Sequence, residues 1–323
     1  MFRRKSSGQL PAIVSSSEEP IPPFRHRVYG LTVATWIPFP ELEPAPEGAP
    51  VDVAIRLGEV PADLPDARFR GARFQTAPGR LLAWIPGVGR YLTFEGREIR
   101  VQPDPGSTES DLRALLLCSP MGALLHQRGI LPLHASVIVT SQGAVAFMGV
   151  SGRGKSTLAA HFSKRGFRVL ADDVAAVTFD AAGNPIVQPG LPQFKLWPNS
   201  ARELVEDAES LPRLRPQLDK RTLAFRDSFC REPVPLARLY HLSADSRISE
   251  PTLTLQPVLK RVTLLLENTY RAQYLPGLGL QKPHFQSLSR LAAQVPLTTV
   301  TRPDRSEFSA LTLVDLLAAD LAP

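Results

Sequence analysis

Apolar positions in this chain follow two periods, and the change between them divides it. From residue 28 to 103 the runs are short and strand-like: Tyr29–Trp36, Val51–Leu57, Arg80–Ile85, Tyr91–Phe94 and Glu98–Val101. Turn signals such as Pro86-Gly87 and Glu95-Gly96 separate them, which predicts a β-rich lobe. Glu41–Pro50 is proline-rich and reads as a connector. From 108 to 128 the period becomes helical. Leu112, Leu115, Leu116, Met121, Leu124 and Leu125 share a stripe and Gly129 is a stop signal. Pro120 predicts two helices or a kink, because proline removes a helical N–H and crowds the preceding turn.

The central block then opens. Leu133–Thr140 and Ala144–Met148 read as strands joined by Ser141-Gln142-Gly143. A connection that short forces the two strands antiparallel. Thr157–Arg165 reads as a helix closed by Gly166, and Arg168–Leu170 and Val174–Phe179 as strands, with a turn at Ala181–Asn184. Pro189–Pro192 and the Pro- and Arg-rich Leu211–Arg226 read as loops. Helical spacing returns in Val258–Asn268, Phe285–Val295 and Phe308–Leu321, and Leu236–Leu242 and Leu297–Thr301 read as strands. The expected fold class is α/β (mixed α+β) with a mixed sheet and a β-rich N-terminal lobe. Residues 1–27, with Ser-Ser-Ser-Glu-Glu and Pro-Ile-Pro-Pro, are expected to be a disordered tail. Residues 28–107 form the lobe and 108–323 the second domain. No internal repeat is visible.

Composition narrows the function classes. Of 323 residues, 43% are apolar, enough for a real core. No apolar run reaches the roughly 18 residues that span a bilayer. The charged N-terminus has no apolar stretch behind it and does not read as a signal peptide. No membrane association is therefore expected. Cys118 and Cys230 alone make neither a disulfide framework nor a four-ligand zinc site. A reducing cytoplasm is the expected setting. The net charge of +6 is dispersed and is not interleaved with aromatics, so nucleic acid is not the expected partner.

The chemistry sits at Gly149-Val-Ser-Gly-Arg-Gly-Lys-Ser156, which fits G-x-x-x-x-G-K-[ST] between a strand and a helix. Small residues let backbone N–H groups converge on phosphate oxygens, and the helix N-terminus adds partial positive charge. Lys155 is expected to reach the β- and γ-phosphates, and Ser156 to face Mg²⁺. Asp172 and Asp173 follow the next short strand. Two adjacent carboxylates there suit a phosphotransferase, which needs one acid to organise Mg²⁺ and one near the attacking hydroxyl. His134 either faces the phosphates or is a structural histidine at a sheet edge. Ser136 reads as structural. Lys195, among the apolar anchors of 192–198, reads as a lid or nucleotide-contacting cation or as plain surface. Arg213, Arg215, Lys220, Arg221 and Arg226 make a basic loop around Asp219. Lys220 and Arg221 are its candidates for contacting a γ-phosphate or an acidic substrate segment.

Leu133-His134-Ala135, the P-loop, and Lys164-Arg-Gly-x-Arg-x-Leu-Ala-Asp-Asp173 together resemble the catalytic domain of bacterial HPr kinase/phosphorylase over roughly residues 130–180. That resemblance implies a P-loop core in a mixed sheet, akin to phosphoenolpyruvate carboxykinase. It implies that Gly149, Ser151, Gly152, Arg153, Gly154, Lys155, Ser156 and Thr157 bind ATP and Mg²⁺. His134, Asp172 and Asp173 would sit at the transfer centre, one aspartate as general base and one toward the metal. Members have Glu where this chain has Thr157, and their distinctive phosphorylase loop has no counterpart after 180. The chain is more similar to HPr-kinase-related proteins encoded with ribosomally made peptides, such as lasso-peptide tail kinases. This implies transfer to a Ser hydroxyl of a peptide or small protein, and is compatible with a homo-oligomer. Alternatives left open are a carrier-protein kinase/phosphorylase, a small-molecule kinase, a simple ATPase and a non-catalytic ATP-binding switch.

Overall fold

A computed structural model describes residues 20–215, 218–305 and 308–322; the expected tail lies outside these up to residue 19. Nine strands of the described chain form an N-terminal sheet: β1 (Phe24–Val28), β2 (Leu31–Thr35), β3 (Glu43–Pro44), β4 (Val53–Leu57), β5 (Phe69–Gly71), β6 (Phe74–Ala77), β7 (Arg80–Ile85), β8 (Gly89–Phe94) and β9 (Glu98–Pro103). Their order is β3-β1-β2-β4-β9-β8-β7-β6-β5, with β2, β4 and β9 parallel to one another. The first strand starts at Phe24, inside the segment expected to be tail.

Helix α1 (Glu109–Leu116) starts at a capping box of Thr108 and Asp111, and α2 (Ser119–Gln127) carries Pro120 in its first turn. Proline is tolerated there because that N–H has no intrahelical partner. Both helices bury their leucines with Val33, Ile55 and Ile99 of the N-terminal sheet, and the same core takes in Val174 and Tyr270. The lobe and the following domain therefore share apolar packing. The Tyr29 N–H also donates to the Pro189 carbonyl at 2.7 Å.

The central sheet contains β10 (Leu131–Leu133), β11 (Ala135–Thr140), β12 (Gly143–Met148), β13 (Arg168–Ala171), β14 (Ala175–Phe179) and β15 (Pro185–Gln188). β11 and β12 pair antiparallel, as their short connection requires. On its other edge β12 pairs parallel with a strand from Val234 to Asp245, so the sheet is mixed. Helix α3 (Lys155–Lys164) leaves the P-loop and lies on this sheet. Phe162 stacks on Phe147 of β12 at 5.6 Å between centroids, and Phe147 on Tyr240 at 5.9 Å. Removing a buried ring of this kind costs about 3–5 kcal/mol, so the loop's two flanks are firmly fixed to each other.

β16 (Gln193–Leu196) leads into α4 (Pro198–Leu204) and pairs with β18 (Leu218–Ala224), which pairs with β17 (Arg213–Arg215). Most of the segment expected to be a basic loop is thus strand. Its prolines and charges mask the pattern, and the pairing that defines it comes from β16. β19 (Val234–Asp245) then crosses the sheet, followed by β20 (Thr252–Leu255), α5 (Val258–Glu267), a short turn at Ala272–Tyr274, α6 (Leu275–Leu278), α7 (Gln281–Gln294), β21 (Leu297–Pro303) and α8 (Ala310–Asp320). Among the described residues no helix is long and apolar enough to cross a membrane.

Candidate active site

Three glycines give the P-loop its path. Gly149, Gly152 and Gly154 have φ of 144°, 86° and 92°, a region that favours glycine. A Cβ on Gly149 would also meet the Leu242 carbonyl at 2.7 Å, so the loop starts hard against β19. Helix α3 begins at Lys155 with no side-chain cap. Its first N–H groups are the donors that a phosphate would satisfy. The Lys155 ammonium, 6% exposed, donates to the carbonyls of Gly149 at 2.7 Å and Val150 at 3.3 Å. Burial lowers its pKa to about 8, against the pull of Asp172 and Asp173.

The other wall arises from two facing strand breaks. β10 pairs with β14, whereas β11 pairs with β13. The chain changes neighbour at His134 on one side and at Asp172, Asp173 and Val174 on the other. The strand expected from 133 to 140 is therefore interrupted at His134. Asp173 takes φ +71°, in the left-handed region where aspartate is among the better-tolerated residues.

The two aspartates have different surroundings. Asp172 is buried. Its Oδ1 accepts from Ser136 Oγ at 2.6 Å and its Oδ2 from the Lys195 N–H at 2.9 Å. Burial raises its pKa, while Ser136, Lys195 and Ser156 oppose that rise through hydrogen bonds. Asp173 lines the cleft in front of the P-loop. Its Oδ2 lies 2.7 Å from Lys195 Nζ and its Oδ1 3.4 Å from His134 Nδ1. Burial pushes its carboxyl up, but the Lys195 ammonium, His134 and Lys220 outweigh burial and hold it well below the usual carboxylate range. Burial and nearby Lys155 lower the His134 pKa, against the pull of Asp173 and Asp172. Its Nδ1 lies 2.9 Å from the Asp173 carbonyl oxygen. That oxygen can only accept, so Nδ1 carries the proton.

The cleft is lined by Ser151, Gly152, Gly154, Lys155, Ser156 and Thr157 on one side. Facing residues include His134, Asp173, Lys195, Trp197, Ser200 and Lys220. Most sequence-predicted site residues thus meet in one place. Thr157 Oγ1 donates to Ser200 Oγ at 2.8 Å, tying α3 to α4. Two predicted residues point elsewhere. The buried Arg221 guanidinium bonds the carbonyls of Glu209 and Leu211 and the Glu209 carboxylate, so it holds its own hairpin together. Arg153 faces Asp304 at 3.5 Å. Lys195 is neither lid nor plain surface. It is a buried strand residue whose proximity to Asp173 keeps it charged despite burial. Asn268 is a further contributor: its Oδ1 accepts the Gly149 N–H at 2.8 Å and its carbonyl accepts the His134 N–H at 2.7 Å. No local motif marks it.

Among the described residues no group of three or more His, Cys, Asp or Glu side chains is arranged to hold a metal ion. Magnesium does not require one, because it binds through one or two carboxylates, phosphate oxygens and water. Ser156 beside Asp172, with Asp173 adjacent, is an oxygen donor set of that kind.

No protein-family model matches the chain, and no curated protein matches it. Among solved structures, it is similar to the HPr(Ser) kinase/phosphatase from Coxiella burnetii at 11% identity, covering 58% of this chain and 89% of that one, with a TM-score of 0.31.

Proposed function

We propose that this chain is an ATP-dependent kinase that transfers the γ-phosphoryl group to a seryl hydroxyl of a peptide or small protein. The observation that carries the reading is the cleft itself, where Lys155 and the uncapped start of α3 face an ionised Asp173. A nucleotide-binding turn alone would not call for an acid pair, one member of it lining the cleft opposite. The peptide or protein acceptor rests on the sequence resemblance to HPr-kinase-related proteins encoded with ribosomally made peptides, over about residues 70–320.

In this reading the P-loop amides and Lys155 hold the triphosphate and stabilise charge on the moving phosphoryl group. Magnesium, when bound, would neutralise charge on the phosphates, with Ser156 and Asp172 as its holders. Asp173 takes the proton from the attacking hydroxyl as the new O–P bond forms and the bond from the γ-phosphorus to the bridging oxygen breaks, releasing ADP. Lys195 keeps that carboxylate ionised and fixes its rotamer, and His134 braces it through the Asp173 backbone carbonyl.

The test is intact-mass analysis of peptides encoded near this gene after incubation with the protein, ATP and Mg²⁺. A gain of about 80 Da on a serine-containing peptide supports the reading. Phosphate release with no acceptor modified would make the chain an ATPase, and nucleotide binding with neither outcome would make it a switch.

A further inference from the structure

The resemblance assigns no role to Trp197, which stands at the cleft rim. The residue is 42% exposed. It directly follows β16, whose Lys195 binds Asp173, and directly precedes α4, whose Ser200 bonds Thr157 of the P-loop helix. The ring is therefore tied from both sides to the phosphate-binding elements. Large aromatic residues are usually covered, and an exposed one that lines a polar cleft offers a flat apolar face to what binds there. Lys220 Nζ, which also lines the cleft, stands over the ring at 5.1 Å from the centroid, so this face turns toward the cleft. An ammonium gains more from a phosphate oxygen than from a ring. A bound triphosphate therefore draws Lys220 away and leaves the face to a planar group.

We propose that Trp197 is the base-stacking platform of this site and that Lys220 exchanges between its ring and the phosphates. The proposal rests on the reading of the cleft as a nucleoside triphosphate site. It adds that the protein recognises a nucleoside triphosphate, not any polyphosphate, and that the recognition is through the π-face of the base. Stacking of this kind is tolerant of base identity, so ATP and GTP should differ little through Trp197.

Calorimetric binding of MgATP and of Mg-tripolyphosphate to the full chain tests this. Trp197→Ala should weaken MgATP about tenfold, the order of one base–aromatic stack, and leave Mg-tripolyphosphate within about twofold. Trp197→Phe should restore most of the MgATP affinity. In a Trp36→Phe/Trp84→Phe background Trp197 is the sole indole, and MgATP should quench it more than Mg-tripolyphosphate does. If Trp197→Ala leaves both affinities unchanged, or weakens both equally, the stacking role is wrong while the P-loop reading survives. If the unaltered chain binds neither compound, the nucleotide site itself is wrong.

Discussion

Replacing Lys195 with methionine removes the main counter-charge of a buried carboxylate. The ion pair is 2.7 Å long, with side chains 8% and 18% exposed, so solvent screens it little. Breaking such a pair from one side costs about 3–5 kcal/mol, because the remaining charge stays desolvated. His134, 3.4 Å from Asp173, still offers partial compensation, which favours the lower end, about 3 kcal/mol. At about 2 °C per kcal/mol for a large domain, the melting temperature should fall by roughly 6 °C. The pH dependence follows from signs. In the unaltered chain Asp173 has a folded pKa below its unfolded value, so it adds stability above the unfolded pKa and loses it as pH falls through the folded one. Without Lys195, burial dominates and the folded pKa rises. Asp173 then costs stability at neutral pH, and the acid limb of transfer activity moves to higher pH. Thermal unfolding of Lys195→Met, Asp173→Asn and the double variant measures the coupling. The double variant should lose less than the sum of the singles by more than about 1 kcal/mol. Additivity within about 0.5 kcal/mol, with an unshifted pH profile, would refute the argument.

Lys155→Ala should reduce phosphoryl transfer by about 100-fold or more. Its ammonium bonds two loop carbonyls, so the melting temperature should stay within a few degrees on differential scanning calorimetry. Asp172→Asn should lower turnover far more than MgATP affinity, as read by single-turnover kinetics beside calorimetry. Its stability loss should be near 1 kcal/mol, because the Ser136 hydroxyl can rotate to accept from the new amide while the other oxygen keeps the Lys195 N–H. Asn268→Ala strips the partner from the buried Gly149 N–H. Chemical denaturation should show a loss of about 1–3 kcal/mol, with a raised KM for ATP.

How much of the fold and site is legible in the sequence depends on whether the signal is local. The P-loop, its antiparallel neighbour, the Pro120 split and the Gly166 stop are each written within a few residues, and each is where the chain predicts it. The 211–226 stretch misleads because strand pairing is a property of two segments. Pro212, Pro216 and the charges say loop until Phe194 and Lys195 supply partners at Leu223 and Thr222. Arg221 and Lys220 are neighbours on that strand and face opposite ways, as strand geometry demands. A count of basic residues does not choose between them. The pairing register does: Lys220 reaches the cleft, while Arg221 bonds the carbonyls behind it. Asn268 and Lys195 acquire their roles only through contacts distant in sequence. No motif announces Asn268, and Lys195 stands in its segment as a lone cation among apolar neighbours.

The paired breaks in the central sheet explain why the proposed transfer centre lies where it does. Where two antiparallel strands both change neighbour, the ladder stops and their backbone polar groups need other partners. The His134 N–H goes to the Asn268 carbonyl, the Asp173 carbonyl is met by His134 Nδ1, and the Asp172 carboxylate takes the Lys195 N–H. The residues proposed for chemistry are therefore also those that close the gap in the sheet. It follows that truncating any of them to alanine mixes a structural loss with a chemical one. The isosteric changes Asp173→Asn and Asp172→Asn keep the side-chain shape; the first also leaves buried Lys195 without its counter-charge. Their ratio of lost turnover to lost stability is the quantity that separates catalysis from scaffolding at this site. Asp172→Asn loses little stability, so a large loss of turnover there reads as chemistry, whereas Asp173→Asn also breaks the Lys195 pair, so its loss of turnover is set against that of Lys195→Met.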